Sequence, residues 1–181
     1  KDGHIMMFHD GNVARVMPDA PEEIKKRSLE TFTYDEVRAF DIGAYRGEAF
    51  KGEKVLSIEE LVAALKADPR RRIVIDVKKV DFEKLAAAIS DVLYQTTLTS
   101  GSEADLARWS EICPGADATL WMGLGSYKDA DVEKRFAKLR AEGFKGITRL
   151  QIHIAKDKNG ALQPAPAGIR AAAEELRAQG I

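Results

Sequence analysis

The chain has 181 residues, 45% hydrophobic and 31% charged, which suits one globular domain with its own core. Its 28 Lys and Arg nearly cancel its 29 Asp and Glu, so the charge balance makes no case for a nucleic-acid partner. The single Cys113 excludes an internal disulfide, and no apolar run approaches the roughly 20 residues that span a bilayer.

The first expected strand is His4–His9, bounded by the turn formers Asp2-Gly3 and Asp10-Gly11-Asn12. A weakly periodic stretch follows from Gly11 to Leu56, with Pro18 and Pro21 in it. Residues 11–56 therefore read as an insertion after the second strand of a larger sheet, of the kind that serves as a lid or carries function. Its one helical signal, Thr33–Phe40, has the capping-box spacing from Thr33 to Glu36. Ser57 and Glu60 repeat that spacing before the apolar stripe Leu61, Val62 and Leu65, which ends at Asp68-Pro69. Arg72–Val77 is a β-rich run. Asp81–Val92 predicts a helix with Phe82, Leu85, Ile89 and Val92 on one face. Strands are expected at Leu93–Leu98, Ala118–Leu124 and Gly146–Ile154. Helices are expected at Ser102–Ile112, Ala130–Glu142 and Pro166–Gln179.

This alternation predicts an α/β fold, a parallel sheet with crossover helices. A closed (β/α)8 TIM barrel needs eight such units in about 250 residues. The chain supplies fewer, so the expectation is a partial barrel: a single domain over residues 1–181 that lacks strands at both ends. That the sequence opens on Lys1 rather than Met and closes on Gln179-Gly180-Ile181 agrees with this expectation. Exposed strand edges would then favour self-association. Oligomeric state and compartment are not readable from the sequence.

Two places stand out for chemistry. Alternation puts Ile5, Met7 and His9 on one face of the first strand and Met6, Phe8 and Asp10 on the other. His9 lies at the strand's C-terminal end, which in a parallel (β/α) protein carries the active site. Its alternative is a histidine bonded to a backbone carbonyl. On the Ile73–Lys78 run, Asp76 and Lys78 share a face near the strand end. Opposite charges on a mostly buried strand must be paired or metal-bound, and either a structural ion pair or a cation-plus-phosphate site would serve. Arg149, Gln151 and His153 alternate along a later strand as possible substrate contacts. His4 reads as structural, and Gly123-Leu124-Gly125 as a strand-to-helix turn rather than a nucleotide loop.

Lys1-Asp2-Gly3-His4-Ile5-Met6-Met7-Phe8-His9-Asp10 resembles the KDG-x-V-V-x-x-HD segment of glycerophosphodiester phosphodiesterases. Phe40–Glu53 resembles that family's LDAGSWFGPEFAGE insertion, Val55–Leu61 its IPTLEEVL, and Ile75-Asp76-Val77-Lys78 its IEIK. The four segments fall in family order. The resemblance implies a (β/α) barrel with the active site at the strand C-termini and a divalent cation, Ca²⁺ or Mg²⁺. It also implies two histidines acting as general acid and base. A substrate glycerol hydroxyl attacks phosphorus, and water opens the resulting cyclic phosphate to glycerol phosphate.

Carried over by position, His9 matches the histidine that protonates the leaving alkoxide, a role that suits an imidazole near neutrality. Asp76 matches the third-strand metal ligand, where the family has Glu, and Lys78 a lysine that meets phosphate charge. After Asp10 only Arg15 matches easily. The family's His-Arg-Gly and first-strand Glu-x-Asp motifs would lie before Lys1, so the segment alone is expected to turn over little substrate. The implied function is a metal-dependent phosphoric diester hydrolase acting on small glycerophosphodiesters. Its rivals are an inactive ligand-binding relative and a metal-dependent barrel isomerase of sugar or polyol metabolism.

Overall fold

The computed structural model describes residues 1–122, 129–151, 156–162 and 167–181. The chain divides into two compact units, the first formed by Lys1–Pro69 with Ala87–Val92 and the second by Arg70–Ala86 with Leu93–Ile181.

In the first unit, strand β1 (Met6–Met7) pairs antiparallel with β2 (Leu56–Ser57), Met6 lying opposite Ser57. The expected strand His4–His9 is thus cut to two laddered residues, and its partner runs antiparallel. The reason lies at its flanks. Asp2 accepts hydrogen bonds from the backbone N–H of His4 and of Tyr34, at 3.4 and 2.8 Å, which holds the entry in a bend. Helices α1 (Glu22–Lys26), α2 (Tyr34–Ala39) and α3 (Ile58–Lys66) follow in chain order, with 3₁₀ turns at Leu29–Thr31, Ala44–Arg46 and Glu48–Phe50.

Both capping boxes form. Thr33 and Ser57 each accept from the N–H three residues on, and Glu36 and Glu60 each reach back to the cap N–H. Glu60 also takes two hydrogen bonds from Arg38 at 2.7 Å and one from the Tyr34 phenol at 3.2 Å. Arg38 is the main reason that its carboxyl is held down at about 2, followed by the Ser57 N–H. Beneath these polar clasps lies a small core of Phe32, Val37 and Val55, against which Met6, Phe8, Ile24, Leu29 and Phe40 pack.

The second unit is built on a four-stranded parallel sheet in the order β3 (Ile73–Asp76), β4 (Thr96–Ser100), β5 (Ala118–Trp121), β6 (Arg149–Gln151). Helices α4 (Phe82–Ile89), α5 (Glu103–Ile112), α6 (Asp129–Ala141) and α7 (Ala167–Ala178) alternate with or follow these strands. This is the expected strand-and-crossover order. Ile75, Leu98, Ala118 and Leu120 form the buried face of the sheet. Helix α5 packs against β4 and β5, with Leu106 and Trp109 fully buried, and α6 packs on α7. The rings of Phe82 and Trp109 meet edge to face at 6.0 Å.

One strand starts late. Leu93–Leu98 was expected, but Ser90–Gln95 winds as a 3₁₀ turn and the ladder begins at Thr96. The Thr96 hydroxyl donates to the Leu93 carbonyl at 2.9 Å, closing the turn just before the β-branched run Thr96-Thr97. On the expected strand Gly146–Ile154 the ladder covers Arg149–Gln151, and residues 152–155 lie outside the described residues. Gly146 has φ +74°, and a Cβ there would lie 2.2 Å from the Leu106 carbonyl oxygen, so the chain can pass α5 only as glycine.

Candidate functional site

Two polar places carry the sequence-predicted residues, one in each unit. In the first unit Met6 and Phe8 pack against the core, so alternation turns His9 outward, where its side chain is 71% exposed. His9 Nδ1 lies 2.7 Å from Asp10 Oδ1, and Arg15 Nε donates to Asp10 Oδ2 at 2.6 Å. The His9 contact first, and then Arg15, lower the Asp10 carboxyl below its ordinary range. An ionised carboxylate only accepts, so Nδ1 carries the hydrogen and Nε2 is the nitrogen left for chemistry.

The chain of contacts continues. Arg15 donates to the Tyr45 phenol at 2.9 Å, and Arg46 Nε donates to the same oxygen at 3.1 Å. Those two guanidinium groups, Arg46 foremost, lower the Tyr45 phenol. Tyr45 is carried on the turn Ala44–Arg46, which Asp41 anchors. The Asp41 carboxylate accepts from the N–H of Gly43, Ala44 and Gly52 at 3.0, 3.0 and 2.8 Å. A Cβ at Gly43 would lie 1.9 Å from the Phe50 carbonyl oxygen, so this loop also closes only around glycine. Sequence reasoning found His9 and Arg15 but not Tyr45 or Arg46, whose approach depends on loop closure across 30 residues.

In the second unit the register aligns Asp76 with Thr99, Thr99 with Thr119, and Thr119 with Arg149. Residues paired in register project to the same side, so these four form a polar row across one sheet face. Strands stand about 4.8 Å apart, which makes the row about 14 Å long. Both ends are paired: Lys78 Nζ lies 2.7 Å from Asp76 Oδ2, and Arg149 lies 2.6 Å from Asp117 Oδ2. Trp121 and Gln151, also in register, lie two residues further along the same face.

The structure thus brings Asp76, Lys78, Arg149 and Gln151 onto one sheet face. His153 lies outside the described residues. The expectation that Asp76 and Lys78 sit on a mostly buried strand is corrected. Their side chains are each 45% exposed and Val74, on the same face, is 59% exposed, so water shares the cost of their charge. Thr99 and Thr119, which the sequence reading passed over, are by contrast buried.

Among the described residues, no three His, Cys, Asp or Glu side chains group so as to hold a metal ion. A Ca²⁺ ion takes six to eight oxygen ligands and Mg²⁺ an octahedral set. Asp76 offers one carboxylate, and the Lys78 ammonium already sits on Oδ2. The described residues therefore do not by themselves make a cation site.

Comparison with known proteins agrees with this architecture. The solved structures it resembles include a Galdieria sulphuraria protein at 15% identity, with TM-score 0.55, covering 96% of this chain and 74% of the other. A glycerophosphodiester phosphodiesterase from Agrobacterium tumefaciens matches at 17% identity and TM-score 0.53, over 84% of this chain and 69% of that one. A glycerophosphoryl diester phosphodiesterase from Parabacteroides distasonis matches at 15% identity and TM-score 0.61, over 97% of this chain but 54% of that one. No curated protein matches the sequence. Parallel strands joined by crossover helices, on the same path as these structures, make the chain an α/β protein with the fold of part of a (β/α) barrel. It belongs to the glycerophosphoryl diester phosphodiesterase family, whose sequence model matches residues 1–113.

Proposed function

We propose that the protein is a phosphoric diester hydrolase that cleaves small glycerophosphodiesters to glycerol phosphate and an alcohol. One observation carries the proposal: within the family-matched segment, an exposed histidine is fixed by a carboxylate that is itself fixed by an arginine. Asp10 sets the tautomer and leaves Nε2 of His9 outward. In the protonated state that nitrogen can give its proton to the departing alkoxide. Such positioned proton transfer contributes about 10²–10⁴-fold to a rate. In this reading Lys78 meets phosphate charge. Asp76 would give up its pair with Lys78 to supply one oxygen ligand to a Ca²⁺ or Mg²⁺ ion whose other ligands lie outside the described residues, and that ion would neutralise charge on the phosphoryl group.

The test is release of a chromogenic alcohol from a glycerophosphodiester, with Ca²⁺ or Mg²⁺ present and after chelation. We expect little turnover from the 181-residue segment alone, and, from a protein that carries it together with the family's His-Arg-Gly and Glu-x-Asp motifs, cation-dependent turnover that His9→Ala lowers by about 10²–10⁴-fold. Turnover that His9→Ala leaves untouched would refute the role given to His9. A second reading rests on the Lys78–Asp76 pair, which occupies the carboxylate that a cation would need. A ligand-binding relative without turnover would bind glycerol phosphate but release no alcohol under any cation condition.

A further inference from the structure

One cation in the first unit has no use in the chain of contacts behind His9. Arg46 is exposed, and among the described residues its one hydrogen bond runs from Nε to the Tyr45 phenol at 3.1 Å. No carboxylate among those residues pairs with it, whereas Arg15, the other guanidinium on that phenol, is held by Asp10 at 2.6 Å. The Tyr45 oxygen already accepts from both guanidinium groups, so its own hydrogen is left for an acceptor. In the family segment LDAGSWFGPEFAGE, to which Phe40–Glu53 aligns without a gap, Trp and Phe stand at the positions of Tyr45 and Arg46. This chain puts a phenol and a fixed cation where that segment has an apolar pair.

What is left open here is donors only: the Tyr45 O–H and the two terminal nitrogens of Arg46. Donors on a cation are complemented by an oxygen anion, and a guanidinium meets a carboxylate or phosphate through two parallel hydrogen bonds. The charges agree. Asp10 offsets Arg15, which leaves Arg46 as the net charge of the cluster. The lowered Tyr45 phenol reports the same positive field at its oxygen. Position follows from Arg15, whose Nε holds Asp10 and whose Nη1 holds Tyr45. The Tyr45 oxygen therefore stands within one guanidinium and two hydrogen bonds of the carboxylate that fixes His9.

We propose that Arg46 and Tyr45 form a subsite for an anionic oxygen group, carboxylate or phosphate, carried by the alcohol half of the substrate. In the function proposed above the departing alkoxide lies against His9, so the rest of that alcohol is the part of the substrate that reaches toward Arg46. Diesters of anionic alcohols are then preferred over those of cationic ones such as choline. That preference rests on the proposed function. The anion site itself does not.

The experiment uses the 181-residue chain, isotope-labelled and titrated by NMR with inorganic phosphate and with choline. The Arg46 Nε–H and Tyr45 ring signals should shift with phosphate and stay still with choline. Arg46→Gln should raise the phosphate Kd read at the Tyr45 ring about tenfold, the loss of a charge-assisted hydrogen bond. Arg46→Lys, which keeps the charge without the fork, should fall between. Lys51→Gln removes the same charge from the same loop and should change that Kd far less. An equal change would reduce the site to the general field of the loop and overturn it. Because Arg46 is exposed, the urea midpoint of Arg46→Gln should stay where it is, which sets a binding role apart from a structural one. Silent signals or an unchanged Kd would also overturn the site. In a protein that joins this segment to the family's His-Arg-Gly and Glu-x-Asp motifs, Arg46→Phe should lower the ratio of kcat/KM for a glycolate diester to that for a choline diester about tenfold. Equal losses with both would put the anion at the scissile phosphate and overturn the assignment to the alcohol. Phosphate binding at Arg46 in a protein that hydrolyses no diester would refute the hydrolase and leave the anion site standing.

Discussion

The two units hold themselves together by different means. The first buries a small cluster of Phe32, Val37 and Val55 and also Val13, Ile58 and Leu65, and its loops are tied by carboxylates that each collect several donors: Asp2, Asp10, Asp41 and Glu60. The second is a parallel ladder with buried aliphatic and aromatic side chains from β4, β5, α5 and α6 against it. The lesson concerns specification. Where the chain runs through few-residue turns, as in the first unit, charge-assisted hydrogen bonds fix them. Where a sheet can be covered, burial fixes the elements, and ion pairs such as Arg108–Glu83 and Arg140–Glu175 sit outside it on the exposed faces.

Four experiments would sharpen that contrast or break it. Trp109→Ala should cost about 3–5 kcal/mol in urea unfolding, because the fully buried indole leaves a cavity against the sheet. Phe32→Ala should fall below it, since half-buried neighbours in the first unit can close over the gap. Equal losses would mean that the small core carries as much as the large one. Next come Gly43→Ala and Gly146→Ala, one in each unit, where a methyl would meet a backbone oxygen at 1.9 and 2.2 Å. Overpacking of this kind costs about 1–3 kcal/mol, and Gly146 adds the strain of a positive φ. Gly146→Ala should therefore be the worse of the two by thermal denaturation.

Smaller effects belong to the caps. Thr33→Ala and Ser57→Ala should each cost about 1 kcal/mol and raise amide exchange in the first turns of α2 and α3. Acid sensitivity is the least. Glu60 has its carboxyl lowered from 4.5 to about 2 in the folded chain. Its contribution is complete above the unfolded value and fades as pH falls from 4.5 toward about 2. Glu60→Gln should remove that pH dependence from the exchange rates of α3. An unaltered acid limb would show that Arg38 finds another partner.

Local features were legible in the sequence and long-range ones were not. Both capping boxes were visible because donor and acceptor stand three residues apart. The period of apolar residues found α5, α6 and α7 to within two residues. The first strand is shorter than the sequence suggests, because its antiparallel partner, Leu56–Ser57, is distant in sequence and the bend held by Asp2 leaves no mark in the apolar pattern of His4–His9. Leu93 was mistaken for a strand start because an apolar run does not reveal that a turn has not yet ended. At the sites, alternation was enough to turn His9 outward and to put Asp76 and Lys78 together. The threonines between Asp76 and Arg149 could be joined to them only by strand register, which no single strand encodes.

Asp41 separates what fixes the loop after α2 from what decorates it. Its three hydrogen bonds grip residues on either side of the tip Gly47–Lys51, while Phe50 at that tip is 52% exposed. The side chains of Glu48, Ala49 and Phe50 can thus be changed while Tyr45 stays within reach of Arg15, whereas Gly47, at φ +123°, must stay glycine. In evolutionary terms those three side chains are an interchangeable label on a fixed hinge pin, and descendants of this chain can vary the surface there without rebuilding the histidine's support.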